Sequence, residues 1–337
     1  MANLKTKFMG IEIKNPIVVG SSNLSQNTET LIELEKAGAG AIVYKSLFEE
    51  QIKLEEVQMN EELHEYDERH SEMISIFPKL KHSGPKEHLA ALEKAKKSLS
   101  IPLIASLNAV SKDTWVEYAG LIEKTGVDGI ELNFYSVPKS PDVEESTIVK
   151  EQIDIIKAVK KAVKIPISVK LSPFYANVFH VIKEMDKLNV DGFVLFNKLY
   201  QPDINIEKES HTIKFSLSNE GEYKLPLRYA GLLYKNIKAN ISSNTGIYTG
   251  KDIIKLILAG SDNVQVVSAI YKNKAKHISS MLSEIESWMD SHSYKSINDF
   301  KGKLSEQGTK DPFTYSRAQY VNILMQHEEI IKKYPVI

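Results

Sequence analysis

One phrase recurs four times along the chain, and it constrains the fold more than any other feature. Ala37-Gly-Ala-Gly-Ala-Ile-Val-Tyr-Lys45, Thr125-Gly-Val-Asp-Gly-Ile-Glu-Leu-Asn133, Asn189-Val-Asp-Gly-Phe-Val-Leu-Phe-Asn197 and Ala259-Gly-Ser-Asp-Asn-Val-Gln-Val-Val267 share a design. Each sets a Gly or Asn helix stop directly before a short, largely apolar run rich in β-branched residues. A second kind of run lies between the copies: Asn15-Pro-Ile-Val-Val-Gly20, Ile101-Pro-Leu-Ile-Ala-Ser-Leu107, Ile165-Pro-Ile-Ser-Val-Lys-Leu171 and Ile237-Lys-Ala-Asn-Ile-Ser242. Three of these four open on an X-Pro pair, which a strand tolerates at its first residue. Short, nearly continuous apolar runs are the signature of a parallel sheet buried on both faces.

Amphipathic stretches separate the runs. Apolar residues recur at helical spacing over 28–38, 87–98, 114–124, 148–163, 178–188, 227–235, 251–258 and 277–289. Eight strands alternating with eight helices predict an α/β protein, a (β/α)8 TIM barrel, with 1–337 as one domain. An open doubly wound sheet would carry a Gly-rich fingerprint after its first strand, whereas Gly20-Ser-Ser-Asn-Leu24 holds no GxGxxG. A hairpin of 5–8 against 11–14 around Met9-Gly10 is expected to plug the barrel bottom. Residues 290–337 read as a C-terminal extension, helical over 315–333.

Composition removes several function classes. Lys plus Arg is 43 against 44 for Asp plus Glu, a balance unsuited to coating nucleic acid by bulk charge. There is no cysteine, so disulfides, cysteine nucleophiles and iron–sulfur clusters on this chain are excluded. The start, Met1-Ala-Asn-Leu-Lys5, lacks the apolar segment of a signal peptide, and no run is long enough to span a bilayer. A cytoplasmic protein without membrane insertion is expected.

Chemistry in such a barrel gathers where strands finish. The polar residues found there are Ser21, Ser22, Lys45, Ser46, Asn108, Asn133, Lys170, Asn197, the stretch 242–246, and Ser268. Each alone reads as an ordinary solvated side chain, but lysines and asparagines converging on one mouth call for a polar ligand. Gly246 and Gly250, ahead of a helix near Lys251, suit a phosphate held by backbone N–H groups, although Asn-Thr-Gly is also common turn chemistry. Three connections, 47–85, 134–146 and 198–224, exceed simple turns. The first is rich in Glu, lacks any fixed metal-ligand spacing, and reads as an amphipathic lid over substrate.

Up to about residue 305 the chain resembles the dihydroorotate dehydrogenase family of FMN barrels in its soluble class 1 form. Asn15-Pro16 with Gly20-Ser21 resembles the family's opening strand. Tyr44-Lys45-Ser46 is similar to its Thr-Lys-Ser, Glu131-Leu132-Asn133 to its Glu-Leu-Asn, and Val169-Lys170-Leu171-Ser172-Pro173 to its Val-Lys-Leu motif. Asn197 matches the Asn ending strand six. Thr245-Gly246-Ile247 resembles the Gly-Gly-Ile phosphate loop, and Gly302-Lys303-Leu304 the C-terminal pattern. The family's Asn-Ser-Met-Gly-Leu-Pro-Asn loop has no counterpart between Leu47 and Pro85. Pro138, Lys198, Thr245 and Val267 stand where the family has Asn, Ser or Thr, Gly and Gly.

This resemblance implies FMN as cofactor and a small-molecule substrate oxidised at a C–C bond beside a carbonyl, with hydride passing to flavin N5. Gly20, Ser21, Lys45, Ser46, Asn108 and Asn133 would bind FMN from the first half of the barrel. Lys170, Thr245, Gly246, Val267 and Ser268 would do so from the second. Lys45, Asn133 and Asn197 would hold substrate. Lys170 would stabilise the reduced flavin. Ser136 falls where class 1 enzymes carry a catalytic Cys and would act as base, or be only a loop residue. The missing Asn-rich loop predicts weak reduction by dihydroorotate. Another cyclic amide or enoate as substrate, and a phosphate-ligand barrel without redox activity, remain open alternatives. A homodimer is compatible with this reading, and any iron–sulfur relay would need a separate chain.

Overall fold

The computed structural model describes residues 2–53, 85–135, 140–198, 201–212, 216–325 and 332–333. A hairpin of β1 (Thr6–Phe8) and β2 (Ile11–Ile13) comes first, then β3 (Ile17–Val19), α1 (Thr28–Lys36), β4 (Ala41–Val43) and the two-residue β5 (Leu47–Phe48). Next come α2 (Pro85–Ser98), β6 (Leu103–Asn108), α3 (Lys112–Lys124), β7 (Gly129–Asn133), α4 (Glu145–Ala162), β8 (Ile167–Leu171), α5 (Val178–Asp186) and β9 (Gly192–Leu195). A second hairpin, β10 (Asp203–Asn205) and β11 (Ser210–Thr212), precedes α6 (Lys224–Leu233), β12 (Asn240–Asn244), α7 (Gly250–Ala259) and β13 (Asn263–Val266). The helices α8 (Ser268–Asn273), α9 (His277–Ser291) and α10 (Ala318–Met325) follow.

The parallel strands run β3-β4-β6-β7-β8-β9-β12-β13 and close when β13 pairs with β3, Val264 opposite Ile17. This is the eight-stranded (β/α)8 barrel expected from the alternation of runs. The strand-opening prolines supply no N–H, yet their carbonyls serve the ladder. Pro16, Pro102 and Pro166 accept the amides of Val264, Ile42 and Ile130.

The recurring phrase has a physical cause. Its helix-stop residues, Gly38, Gly126, Asn189 and Gly260, all have positive φ (109°, 81°, 56° and 132°), which turns the chain off each helix and into a strand. Two residues later, an Asp ties down the strand before it. Asp128 Oδ2 accepts the Leu103 N–H at 2.7 Å, Asp191 Oδ2 that of Ile167 at 2.9 Å, and Asp262 Oδ2 that of Ile241 at 2.8 Å. The first copy has Gly40 at that position, where a Cβ would lie 2.4 Å from the Asn15 carbonyl; Asn15 Oδ1 accepts the Ile17 N–H itself.

Met9 plugs the barrel floor. With Phe8 and Ile13 it packs against Val18, Ala41, Val43, Ile104 and Val194 inside the barrel. Gly129 leaves room for it, since a Cβ there would stand 2.6 Å from Met9 Cε.

Some local features differ from the sequence expectation. Strand β12 starts at Asn240 rather than Ile237, because Asp186 accepts the amides of Lys238 and Ala239 before the ladder begins. Helix α8 and the β10–β11 hairpin carry no period visible in the sequence. Glu49, counted among the acids of the expected lid, is instead buried and accepts the amides of Val110 and Ser111 while pairing with Lys53. Residues 54–84, the body of that connection, lie outside the described residues. In the tail, Tyr315 packs over Gly231 of α6 and donates to the Leu304 carbonyl.

Candidate active site

A cavity of about 380 Å3 opens at the C-terminal ends of the barrel strands. Its floor and walls come from residues that leave each strand just as the ladder ends. Among them are Ser21, Lys45, Ser46, Asn108, Asn133, Lys170, Asn197, Thr245, Gly246, Val267 and Ser268, all singled out from the sequence. Gly20 does not line the cavity. A Cβ at Gly20 would lie 2.9 Å from Val267 Cγ2 and 3.3 Å from Gln265 Oε1, so the bare glycine makes room for two residues of β13 and its end. Ser136 lies outside the described residues.

Alternation along β7 points Glu131 and Asn133 into the barrel, with Asn133 opposite Lys170 of β8. Lys170 is buried, and its Nζ stands 3.3 Å from Gln265 Oε1 and 3.4 Å from Glu131 Oε1. Gln265 Nε2 donates to Glu131 Oε2 at 2.5 Å, which closes a three-residue polar cluster beneath the cavity. Above it, Asn133 Oδ1 is buried and has no hydrogen-bond partner among the described residues. Such an atom asks for a donor from a bound molecule.

The opposite wall is hydroxylic. Ser46 Oγ lies 3.0 Å from Ser21 Oγ and 2.7 Å from Ser106 Oγ. Lys45 Nζ donates to Gln26 Oε1 at 3.1 Å, and partial burial lowers its pKa. Asn197 Nδ2 donates to the Phe134 carbonyl at 2.9 Å, fixing the amide plane. Beside it, Lys198 reaches Glu222 at 3.0 Å. Burial pulls the Glu222 carboxyl upward, but hydrogen bonds from Lys198 and Asn219 prevail and hold it below its usual range.

At the far end the chain turns back on itself. Asn244 Oδ1 accepts the Thr245 N–H at 2.7 Å, and Thr245 and Gly246 both have positive φ (78° and 70°). Thr245, where a glycine would be free, is held there by that bond and by a contact from Oγ1 to the Phe196 carbonyl. The Gly246 N–H points at Ser218 Oγ, 3.1 Å away, and Ser218 in turn bonds Ser268. Tyr248 OH donates to the Ser218 carbonyl and pins the segment. Ser218 and Gln265 thus join the cavity wall without having been assigned a role from the sequence, beside Asn244 of the stretch expected there. Gln265 had left a signal, as an amide set between Val264 and Val266 of a β-branched run. Ser218 had left none, since it sits in a connection with no periodicity.

The arrangement offers cations and amides at one end and a nest of hydroxyls and a backbone N–H at the other. It suits an elongated ligand with a polar planar head and an anionic tail. No helix among the described residues is long and apolar enough to cross a membrane.

Comparison with known proteins agrees with this architecture. The family model described as dihydroorotate dehydrogenase matches residues 3–289. The chain is 28% identical over 315 residues to a protein of Thermoplasma volcanium named dihydroorotate dehydrogenase B (NAD(+)), catalytic subunit, covering 90% of this chain and 98% of the relative. A protein of the same name from Methanocaldococcus jannaschii is 29% identical over 286 residues, 80% of this chain and 87% of the relative. A dihydroorotate dehydrogenase A (fumarate) of Lactobacillus helveticus is 28% identical over 212 residues, 60% of this chain and 68% of the relative. The chain belongs to the dihydroorotate dehydrogenase family, and with it to the oxidoreductases that act on CH–CH groups.

Proposed function

We propose that this protein binds FMN in the barrel mouth and oxidises dihydroorotate to orotate, removing a hydride and a proton from adjacent carbons. The observation that carries the reading is the polar cavity itself, in which Lys170 stands over Glu131 and Gln265 while Asn133 Oδ1 lacks a partner. The residues present fit the cofactor. The cavity volume lies within the range of about 300–1,000 Å3 typical of small-molecule sites. Lys170, Lys45 and Asn133 would hold the polar edge of the ring system, and Ser218, Gly246 and Ser268 the phosphate.

FMN supplies the two-electron acceptor. The protein supplies the rest. The buried ammonium of Lys170 offsets negative charge arriving with the electrons, and in a water-poor site that help is worth far more than in solution. Asn197, its amide plane fixed by the Phe134 carbonyl, presents its remaining polar atoms to substrate. Ser136, three residues after Asn133 in the sequence, is the candidate to accept the substrate proton, through a neighbour or a water. The names of the relatives favour dihydroorotate, and the word "subunit" in two of them favours a partner chain. With no cysteine here, an iron–sulfur relay would belong to that partner.

Colour and bleaching test the reading together. The purified protein should be yellow or turn yellow with added FMN, and millimolar dihydroorotate should bleach it under anaerobic conditions. A protein that rejects FMN overturns the flavin reading. One that binds FMN but is never bleached by dihydroorotate has another substrate.

A further inference from the structure

Glu131 is fully buried, carries no contact with solvent, and does not itself line the cavity. Taking a carboxylate out of water costs several kcal/mol in real proteins and is tolerated only with full compensation. Glu131 is compensated by two groups that do line the cavity: Gln265 donates to Oε2 at 2.5 Å, and Lys170 Nζ faces Oε1 at 3.4 Å. The Gln265 carbonyl faces the same ammonium at 3.3 Å, so Lys170 is held from below by two acceptors. Its upper side is left to the cavity. An apolar residue at position 131 would fill the space without the desolvation cost, but it would free the lysine and remove one negative charge from directly beneath the site.

We propose that Glu131 is a positioning residue that, through Lys170, sets the reduction potential of the bound flavin. The proposal rests on the FMN reading above. A negative charge behind the cavity wall would oppose the arrival of electrons at a flavin held there, while the Lys170 cation would favour it; the pair together would fix the balance. In a medium of low effective dielectric, one unit charge at this range is a large lever. Poising the potential downward makes the reduced flavin a better donor to the next acceptor. Gln265 takes part by holding the carboxylate in place, and Gly20 by leaving Gln265 its room.

The test is the midpoint potential of the FMN-loaded protein, read by equilibration with a redox dye. Glu131→Gln keeps the side-chain shape and removes the charge. It should raise the potential by the equivalent of tenfold or more in the reduction equilibrium, about 30 mV for a two-electron couple. Glu131→Asp, which keeps the charge, should return most of that shift. Should Glu131→Gln fail to fold, Glu131→Met removes the same charge with an apolar side chain of similar volume and gives a second reading. A flavin-loaded, charge-free variant whose potential is unchanged or lower overturns the proposal, even if its melting temperature has fallen. A wild-type protein that rejects FMN overturns the flavin reading and this proposal with it, so the two failures are distinguishable.

Discussion

The hydroxyl of Ser218 donates to Ser268 Oγ across 2.7 Å, and so joins the connection after β9 to the end of β13. Its oxygen also accepts the Gly246 N–H, so one side chain gathers the three elements expected to meet a phosphate. Ser218→Ala should therefore weaken FMN by roughly 2–10-fold, the range of one or two ordinary hydrogen bonds. Riboflavin, which has no phosphate, should bind wild type and variant alike. Fluorescence titration with both ligands checks this; equal losses for both would place Ser218 elsewhere in the site.

Lys170 gives a kinetic prediction. Lys170→Ala should slow flavin reduction by about tenfold or more, as expected when a preorganised charge is withdrawn. Its melting temperature should also fall, since Glu131 is left buried without its cation. Anaerobic single-turnover mixing separates the two effects, and unchanged reduction would remove Lys170 from the chemistry.

Dihydroorotate should saturate this protein only at high concentration. The family's Asn-rich loop has no counterpart in the sequence between Leu47 and Pro85. Each missing side-chain hydrogen bond costs about 0.5–1.5 kcal/mol, and more where a carboxylate is involved. Stopped-flow bleaching across a concentration series reads the dissociation constant, and saturation at low micromolar dihydroorotate would contradict the expectation.

His88 of α2 packs edge-on against Tyr44, with ring centroids 5.4 Å apart. Burial first, and the nearby Lys45 cation second, depress its pKa from 6.5 to about 4. The unfolded chain therefore binds a proton that the folded chain refuses. Its contribution to stability is complete above pH 6.5 and is lost as pH falls toward 4, with a span on the order of 3 kcal/mol. Urea melts between pH 7 and 4 should show wild type losing stability, relative to His88→Leu, as the pH drops. Parallel curves would refute the assignment.

The barrel was legible in the sequence because its strands are buried on both faces and so read as unbroken β-branched runs between amphipathic helices. Most mouth residues were legible too, as the first polar side chains after those runs. The repeated phrase announced helix ends, but the grip of Asp128, Asp191 and Asp262 on neighbouring strands appears only once the chain is folded. The Glu131–Lys170–Gln265 cluster likewise joins residues up to 134 positions apart, which no local pattern reports. Glu49 misled in the opposite direction, a buried anchor inside a stretch whose composition reads as solvated.

Those aspartates prompt one more expectation. Asp191→Ala leaves the buried Ile167 N–H unsatisfied and should cost about 1–3 kcal/mol, with flavin affinity unchanged. Thermal melts with and without FMN would show it, and a loss of flavin binding would tie the two ends of the barrel together.

The aspartate ties sit at the strand entrances, and the cavity-lining side chains sit in the last residues of the strands or beyond them. Inheritance can therefore act on the two ends separately. Substitutions at Lys198 or Val267 can redirect what the mouth accepts, because the ties that hold the staves together lie a full strand length away. A lineage built this way is able to drift toward a new substrate while its scaffold stays under unbroken selection.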